Sequence, residues 1–280
     1  MPAPAIFGIA NVTEDSFSDG GRFLATAAAL AHARALVAAG AAIIDLGAAA
    51  SNVDAKPVAA AEEIRRLDPL IAGLAADATP VSVDSFAPEV QRFAIAREVA
   101  FLNDTQGFPD PSFYPELAAA SCRLVVMHAV HGRGRAQRVE LSADEVWDRI
   151  YAFFADRVEA LERAGIARER LILDPGMGFF LSSRPEASLR VLADLDRLKQ
   201  AFGLPVLISV SRKSFLRAIT GRAASSELGA ATLAAELYAA EKGADYIRTH
   251  DPGSLADALK VMAVLRAEET QLAQWQRPAI

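Results

Sequence analysis

The chain has 280 residues, of which 52% are hydrophobic and 7% aromatic, a composition that excludes a disordered protein and supplies ample apolar surface for helices packed on a sheet. Its formal net charge of -6 excludes a broad basic surface for nucleic acid, so any anion must bind at a local site. A small-molecule ligand therefore suits this chain better than a polymer does.

The cysteine content and the amino terminus indicate the cellular compartment in which the protein resides. Cys122 is the single cysteine, which excludes an internal disulfide framework and fits a reducing environment. Its apolar neighbours favour a buried thiol over a reactive one. The chain does not begin with a basic start and a long apolar run, and no apolar stretch reaches the roughly 18 residues of a membrane span. We expect a cytoplasmic protein with no membrane partner.

Short apolar runs recur between longer amphipathic segments. The eight runs cover residues 6–11, 42–47, 80–84, 100–104, 123–128, 171–174, 205–211 and 244–250. Runs without alternation are typical of parallel strands buried on both faces, and the helical segments between them supply the crossovers that a parallel sheet requires. Eight such units close a barrel of roughly 250 residues. The predicted fold class is α/β, a (β/α)8 TIM barrel.

Local signals mark turns and helix ends along the chain. Gly40 and Gly243 follow apolar helical turns and can adopt the left-handed conformation that releases the chain into the next strand. The segment EEIRRLDPLIAGL is predicted to be helical, and DPGMG predicts a tight turn. The Gly/Arg-rich loop HGRGRAQR is expected to move. We expect a single domain over residues 1–280, with a frayed helix end after about residue 267.

Polar residues end nearly every predicted strand, where barrels of this class carry their catalytic groups. These positions are occupied by Asn11, Asp84, Asn103, Asp104, His128, Asp174, Ser211, Arg212, Lys213, Arg248 and His250. A single member such as Asp84 could instead cap the following helix. Taken together, Asp84, Asn103 and Asp174 predict several hydrogen bonds to a flat, nitrogen-rich ring such as a pterin or a guanine.

Cationic residues cluster on two adjacent predicted strands. Arg212, Lys213, Arg248 and His250 concentrate positive charge on an otherwise acidic protein. Because arginine binds phosphate oxygens in a bidentate fork and lysine acts as a mobile point charge, the group favours a phosphate or diphosphate ligand. Arg212 alone could equally form a salt bridge at the strand end.

The loop after the first strand is a candidate for metal binding. Asn11 and the following TEDSFSDGG could help to hold Mg2+ on a diphosphate, since Mg2+ takes a few protein oxygens and keeps its waters. The carboxylates of Asp15 and Asp19 in this loop could equally be solvated turn residues.

The chain resembles the dihydropteroate synthases along almost its whole length. GIANVTEDSFSDGG, SVDSF, LNDTQGF, LILDPGMGF, SVSRKSFL and ADYIRTHD occur in that family's order and spacing. The resemblance implies a barrel that joins 6-hydroxymethyl-7,8-dihydropterin diphosphate to 4-aminobenzoate, with Mg2+ as cofactor. The products would be diphosphate and 7,8-dihydropteroate for folate synthesis. Such barrels are commonly homodimers, and the exposed apolar side of the last helices could support one.

The resemblance also implies roles for individual residues. The pterin site would comprise Asp84, Asn103, Thr105, Met127, Asp174 and Lys213. The diphosphate site would comprise Asn11, Arg248 and His250, with Asn11 also near the Mg2+. The catalytic residues would be Asp174, Lys213 and Arg248, and Ser214 would lie near the aminobenzoate carboxylate. To that aminobenzoate pocket we add Ser51, Phe179 and Phe180.

The loop after the second strand departs from the family pattern. Where the family has a Ser-Thr-Arg-Pro stretch, this chain reads AAASNV at residues 48–53, so Ser51 replaces threonine and Asn52 replaces arginine. GAAASNVDAKPV, NDTQGFPDP, VVMHAVH and GMGFFL instead resemble the acquired, sulfonamide-resistant (Sul-type) branch of the family. That branch accepts 4-aminobenzoate and discriminates against sulfa drugs. Aromatic volume from Phe179 and Phe180 would exclude a tetrahedral sulfonamide, although Phe179 could equally pack in the core.

Two other functions stay open on the sequence alone. A pterin-dependent methyltransferase barrel shares the DP and ND-type contacts, although SRKS and RTHD favour the diphosphate reaction. A non-catalytic pterin-binding paralogue is the second alternative, and the changed loop at residues 48–53 lends it weight. Turnover of the two substrates, assayed by diphosphate release, separates an enzyme from both alternatives.

Overall fold

A parallel sheet that curls into a barrel organises the chain. The computed structural model describes residues 3–12, 21–49, 57–130 and 139–275. The strands in these ranges are β1 (Ala5–Asn11), β2 (Ile43–Gly47), β3 (Val81–Asp84), β4 (Phe101–Asp104), β5 (Arg123–Met127), β6 (Leu171–Asp174), β7 (Leu207–Ile208) and β8 (Tyr246–Thr249). Their order is β6-β5-β4-β3-β2-β1-β8-β7, and a parallel bridge between Leu173 and Val206 joins the two edges. The predicted (β/α)8 TIM barrel is confirmed.

The strands lie where the apolar runs predict them; β6 matches its predicted bounds, β1 begins one residue earlier, and the other six are shorter than predicted. The largest difference is at β7, which is predicted over residues 205–211 and observed over Leu207–Ile208. Just beyond it, the Lys213 N–H donates to the Val210 carbonyl at 3.1 Å. This turn takes the chain out of the sheet before the predicted strand end, because those carbonyls and amides bond locally rather than to a neighbouring strand.

Helices form the layer outside the sheet. They are α1 (Gly21–Ala38), α2 (Ala60–Ala76), α3 (Pro88–Ala96), α4 (Tyr114–Ala119), α5 (Ala143–Arg163), α6 (Pro185–Ala193), α7 (Leu195–Phe202), α8 (Ser214–Thr220), α9 (Gly229–Glu241) and α10 (Pro252–Trp275). The predicted helix EEIRRLDPLIAGL forms most of α2. Gly40 and Gly243, just after α1 and α9, have the positive φ angles expected of them.

Some predictions concern the chain ends and loops. Helix α10 continues to Trp275, past the end predicted near residue 267, and residues 276–280 lie outside the described ranges. The loop at residues 131–138, predicted to move, also lies outside them. Cys122 is buried, as expected. Within the described ranges, none of the helices combines the length and the apolar character that a membrane crossing needs.

The amino ends of the strands enclose an apolar layer inside the barrel. This apolar layer consists of Phe7, Ile43, Phe101, Val125, Ile172 and Leu207, with Tyr246 packed against it. Phe7 is fully buried, and its ring meets Phe101 and Tyr246 edge to face, with centroids 5.1 and 5.5 Å apart. Side chains from alternate positions of seven strands therefore fill this end of the barrel, as in other barrels of this size.

Removing Phe7 tests the importance of this apolar layer for stability. Because the side chain is fully buried among rigid neighbours, we expect Phe7→Ala to lower the free energy of unfolding by about 3–5 kcal/mol. Urea denaturation measures the loss. As a control, Val261→Ala on the exposed side of α10 should change stability by no more than about 0.5 kcal/mol. A similarly small loss for Phe7→Ala would contradict the description of a packed layer.

Candidate active site

The interior of the barrel changes from apolar to polar along the strands. Polar residues lie two positions beyond residues of the apolar layer or beyond Tyr246, which packs against it. Four of them are on strands and the fifth directly follows β7; they are Asp45, Asn103, Asp174, Arg248 and Ser209. Because alternate side chains of a strand share one face, these five residues, the polar layer, lie above the apolar layer on its carboxyl side. In barrels of this class that end carries the catalytic groups. The polar layer is therefore the base of the candidate active site.

A cavity opens at the polar layer. Its lining residues are Asp84, Asn103, Thr105, Met127, Asp174, Gly176, Met177, Phe180, Ser209, Lys213 and Arg248. The structure therefore brings together all six residues that the sequence assigns to a pterin site, and adds Arg248 and Phe180 from the other predicted sets.

The remaining members of the predicted aminobenzoate pocket lie beside this cavity or outside the described ranges. Ser214 begins α8, and its Oγ lies 3.0 Å from where a Cβ on Gly178 would be. Phe179 is partly buried and packs against the cluster that contains Phe180, so its packing role is observed. Ser51 falls outside the described residues, as do Asn52, Asp15 and Asp19.

Arg248 lies between two carboxylates inside the barrel. Its Nε donates to Asp45 Oδ2 at 2.6 Å, and its Nη2 lies 2.6 Å from the same oxygen and 2.7 Å from Asp84 Oδ2. The alternative that Asp84 caps the next helix is wrong, because Ala87 is the N-cap residue of α3 and makes no side-chain cap. Arg248, assigned from sequence to a diphosphate, therefore also belongs to the surroundings of Asp84.

Asp174 is held by the tight turn that follows β6. The Gly176 N–H donates to Asp174 Oδ1 at 2.8 Å. Gly176 has a φ of 74°, and a Cβ there would lie 2.5 Å from the His128 carbonyl oxygen. Only glycine fits this position, since a side chain would meet backbone in a strained conformation. The turn predicted from DPGMG thus fixes one carboxylate oxygen and brings backbone close to the cavity.

Burial shifts the ionisation of three groups that line the cavity toward neutral pH, namely Asp84, Asp174 and Lys213. It raises the pKa of Asp84 to about 7. The positive charge of Arg248 opposes this shift, and the negative charge of Asp45 adds to it. Burial raises the pKa of Asp174 to about 6, although the Gly176 N–H opposes the shift. It lowers the pKa of Lys213 to about 8, and the charge of Arg248 adds to this effect. Titratable groups so displaced in one cavity are typical of functional sites.

The group predicted to be cationic contains a neutral member. Burial, together with Arg212, Arg248 and Lys213, lowers the pKa of His250 to about 3. Its Nδ1 lies 2.9 Å from Ser211 Oγ, so the imidazole acts through hydrogen bonds rather than as a cation. Arg212 is exposed and takes part in none of the ion pairs that the described ranges contain, so its predicted alternative, a strand-end salt bridge, is not formed there.

Two polar atoms near the cavity have no hydrogen-bond partner in the described part of the chain. They are Asn103 Oδ1 and Ser209 Oγ, both buried. An unpaired buried polar atom costs free energy of about 1–3 kcal/mol, and a polar ligand removes that cost. Both residues line the cavity, so the structure offers them to a ligand that carries its own donors and acceptors.

Sequence reasoning overlooked part of the site. Asp45 and Ser209 were not among the candidates because neither ends its predicted strand. A signal existed for Asp45, since one charged residue interrupts the apolar run IIDLG at a position that alternation places inside the barrel. Gly176 and Met177 were read only as parts of a turn. Their place in the lining follows from the path of that turn, which the sequence does not give.

The described residues do not form a metal site by themselves. None of the groups of His, Cys, Asp or Glu in the described ranges has the arrangement that holds a metal ion. Asn11 is exposed at the end of β1, and its Oδ1 lies 3.4 Å from where a Cβ on Gly47 would be. One exposed amide oxygen fits Mg2+ that is held mainly by a ligand's phosphates and by water.

The raised pKa of Asp84 predicts a pH-dependent stability. Because its pKa in the folded chain is about 7, the folded state binds a proton more tightly than the unfolded state, where the pKa is roughly 4. The stabilisation is complete below the unfolded value and is lost as the pH rises through about 7. We expect the difference in free energy of unfolding between the unmodified chain and Asp84→Asn to fall over this range.

Urea denaturation from about pH 4 to pH 8 measures that difference. The matched control is Asp77→Asn, because Asp77 pairs with Arg34 on the surface and that pairing lowers its pKa. The control difference should not fall over the same range. A flat profile for Asp84→Asn would show that this carboxyl group is not held at a raised pKa.

Comparisons with known proteins agree with the geometry of this site. Residues 7–250 match the family model of pterin binding enzymes. Dihydropteroate synthase type-2 of Escherichia coli is 59% identical over 261 residues, covering 93% of this chain and 96% of that protein, and type-3 is 54% identical over 260 residues, covering 93% and 98%.

A solved structure leads to the same family. Xanthomonas albilineans dihydropteroate synthase with 4-aminobenzoic acid superposes with a TM-score of 0.85 at 38% identity, covering 95% of this chain and 94% of that one. Fold, cavity and sequence therefore agree, and the chain belongs to the dihydropteroate synthases within the family of pterin binding enzymes.

Proposed function

We propose that the chain condenses 6-hydroxymethyl-7,8-dihydropterin diphosphate with 4-aminobenzoate, giving 7,8-dihydropteroate and diphosphate in folate biosynthesis. Family membership supports the reaction, and the observation that carries it is the cavity in which Asp84, Asn103, Asp174 and Lys213 converge. The same proposal treats residues 1–280 as one pterin-binding barrel domain. It places the enzyme in the cytoplasm, with which a single buried cysteine is consistent.

The chemistry of the cavity suits the edge of a pterin. An amino-pyrimidinone edge presents paired N–H groups, for which a carboxylate is the natural acceptor, and a carbonyl oxygen, which accepts from ammonium or amide N–H groups. Asp84 and Asp174 supply the acceptors, and Lys213 with Asn103 supplies the donors. Thr105 and Met127 line the cavity beside them and pack against the ring.

The reaction needs a good leaving group more than it needs a nucleophile from the protein. The C–O bond to diphosphate breaks while a C–N bond forms to the amine, which then loses a proton to solvent. The electron-rich dihydropterin stabilises positive charge at its exocyclic methylene, so no covalent enzyme intermediate is required. The catalytic work of Asp174, Lys213 and Arg248 is to orient the ring and to balance the charge of the departing anion.

Diphosphate leaves from the mouth of the cavity. Arg248, in the polar layer beneath the mouth, supplies positive charge, and in this proposal the neutral His250 and Asn11, which are not part of the cavity lining, supply hydrogen bonds. Bound Mg2+ would neutralise part of the diphosphate charge, with Asn11 as its protein ligand. Activity that survives complete removal of divalent ions by chelation would contradict the proposed cofactor.

The aminobenzoate pocket comprises Ser51, Phe179, Phe180 and Ser214 in this proposal, and we propose that it makes the enzyme insensitive to sulfonamides. Phe180 supports this steric account, because its buried ring lines the cavity and lies 5.0 Å from Lys213 Nζ, measured to the ring centroid. A planar carboxylate passes such a wall more easily than a tetrahedral sulfonyl group with its substituent does.

The enzyme is also proposed to be a homodimer. Helix α10 carries Val261, Val264 and Leu265 at helical spacing, and these side chains are 58%, 64% and 53% exposed. Residues three and four apart share one face of a helix, so they form an apolar stripe suited to a second copy of the chain.

Turnover by variants tests the proposed reaction. Purified protein with the two substrates should release diphosphate and form 7,8-dihydropteroate, identified by its mass. Because Lys213 and Asp174 orient the ring, Lys213→Ala and Asp174→Asn should lower the rate by about two orders of magnitude or more without unfolding the chain. Lys260→Ala on the surface of α10 is the matched control and should keep full activity. Full activity in Lys213→Ala would overturn the assignment.

Inhibition by sulfamethoxazole tests the steric account of drug discrimination. Phe180→Gly opens the wall, so we expect the inhibition constant to fall roughly tenfold while the KM for 4-aminobenzoate changes less. Phe180→Leu restores part of the volume and should give an intermediate value. Equal changes for drug and substrate in both variants would count against a steric wall.

A further inference from the structure

Asp45 is a buried carboxylate next to the cavity to which the proposed reaction gives no role. Its side chain is fully buried and absent from the cavity lining, yet it shares one oxygen with both Nε and Nη2 of Arg248. Its other oxygen, Oδ1, is buried and has no partner in the described ranges. Burying a carboxylate removes its hydration, which is unfavourable, so its presence in the strand calls for a reason beyond packing.

We infer that Asp45 is a positioning residue, which holds the Arg248 guanidinium away from one oxygen of Asp84 and so keeps that oxygen for the pterin. This inference rests on the proposed function, since it names how the same cavity receives its substrate. Arg248 reaches Asp84 through Nη2 alone and only at Oδ2. Asp84 Oδ1 has no partner in the described part of the chain and belongs to a residue that lines the cavity.

Competition between two carboxylates explains the arrangement. A guanidinium beside a single carboxylate prefers a bidentate contact that occupies both oxygens. Here β2 and β8 flank β1 in the sheet, so Asp45 on β2 lies within reach of Arg248 on β8 and accepts a hydrogen bond from its Nε. With Nε held by Asp45, the guanidinium cannot turn its fork fully toward Asp84. Loss of the Asp45 charge frees Nε, and Arg248 then closes on both oxygens of Asp84 in competition with the substrate.

The charges that face Asp84 come from several strands. Asp45 on β2 and Asp104 on β4 favour its protonated form, whereas Arg248 on β8 and Lys213 after β7 favour its ionised form. Removing the negative charge of Asp45 therefore lowers the pKa of Asp84, and a closer Arg248 lowers it further. An ionised Asp84 accepts the pterin N–H groups, so the acid limb of the pH profile for pterin use should move with Asp45.

Asp45→Asn tests the inference with little change in shape. We expect the KM for the pterin diphosphate to rise about tenfold or more, as for loss of a hydrogen bond to a charged group, with a smaller effect on kcat. The acid limb of kcat/KM against pH should shift to lower pH. Ser82→Ala is the matched control, because Ser82 pairs in register with Asp45 and is equally buried, but its hydroxyl makes no hydrogen bond in the described ranges. The control should leave the acid limb in place.

The outcomes separate this inference from the proposed function. If the unmodified chain forms no 7,8-dihydropteroate, the proposed function fails. If the unmodified chain is active and Asp45→Asn keeps both its KM and its acid limb, only the role of Asp45 fails. A lower stability with an unmoved acid limb would likewise overturn it, because that result describes packing alone.

A measurement on the unmodified chain covers the case in which Asp45→Asn does not fold. With 15N-labelled arginine, the Nε–H signal of Arg248 is identified by its loss in Arg248→Lys. The inference predicts slow exchange of this proton with solvent, unchanged when 6-hydroxymethyl-7,8-dihydropterin diphosphate is added. A signal that loses its protection on binding would show that Arg248 leaves Asp45, and would overturn the inference.

Discussion

Arg248 connects three strands of the barrel through one guanidinium, and the arrangement of the cavity depends on that connection. Its partners Asp45 and Asp84 are 203 and 164 residues away in sequence. Two carboxylates buried this closely would repel each other strongly without a shared cation. Closure of the barrel brings β8 next to β1 and so within reach of β2 and β3. The charged site therefore exists only once the long-range pairing of the sheet is complete.

The apolar layer allows a polar layer to exist above it. Aromatic and branched side chains around Phe7 fill the amino end of the barrel, so that ligands and water enter from the carboxyl end. One side of the polar layer consequently faces the cavity, and the other faces the apolar layer. Burial in and beside the polar layer raises the pKa values of Asp84 and Asp174 and lowers that of Lys213, because each charge loses part of its hydration. The same loss strengthens every contact with a polar ring.

Sequence patterns predicted the barrel and most of the cavity. The physical reasons for this success also explain which features of the site could not be predicted. Apolar runs and glycine-marked helix ends are local signals, and all eight strands followed from them. Polar residues at strand ends converge in any such barrel, so Asp84, Asn103 and Asp174 were predictable. Asp45 and the contact between Arg248 and Asp84 were not, because they depend on which strands become neighbours. The neutral state of His250 was equally hidden, since it results from burial beside three cations.

The positions at which this chain departs from the family pattern belong to the proposed aminobenzoate pocket or to the loop that carries Ser51. Ser51 and Asn52 stand where the family has Thr and Arg, in a loop outside the described residues, and Phe180 contributes aromatic volume to the cavity wall. The proposed pterin site, in contrast, depends on charges that the barrel strands hold in place. Under this proposal, substrate discrimination can change at the loops while the base of the cavity stays the same.

A crystal structure with 6-hydroxymethyl-7,8-dihydropterin diphosphate tests the central claim most directly, namely that the polar layer and its neighbours hold the pterin ring. The account predicts a ring within hydrogen-bond distance of Asp84, Asn103 and Asp174, with the diphosphate directed toward Arg248 and the mouth of the barrel. A ring bound elsewhere, or a ring in the cavity that makes no contact with Asp84, would contradict it.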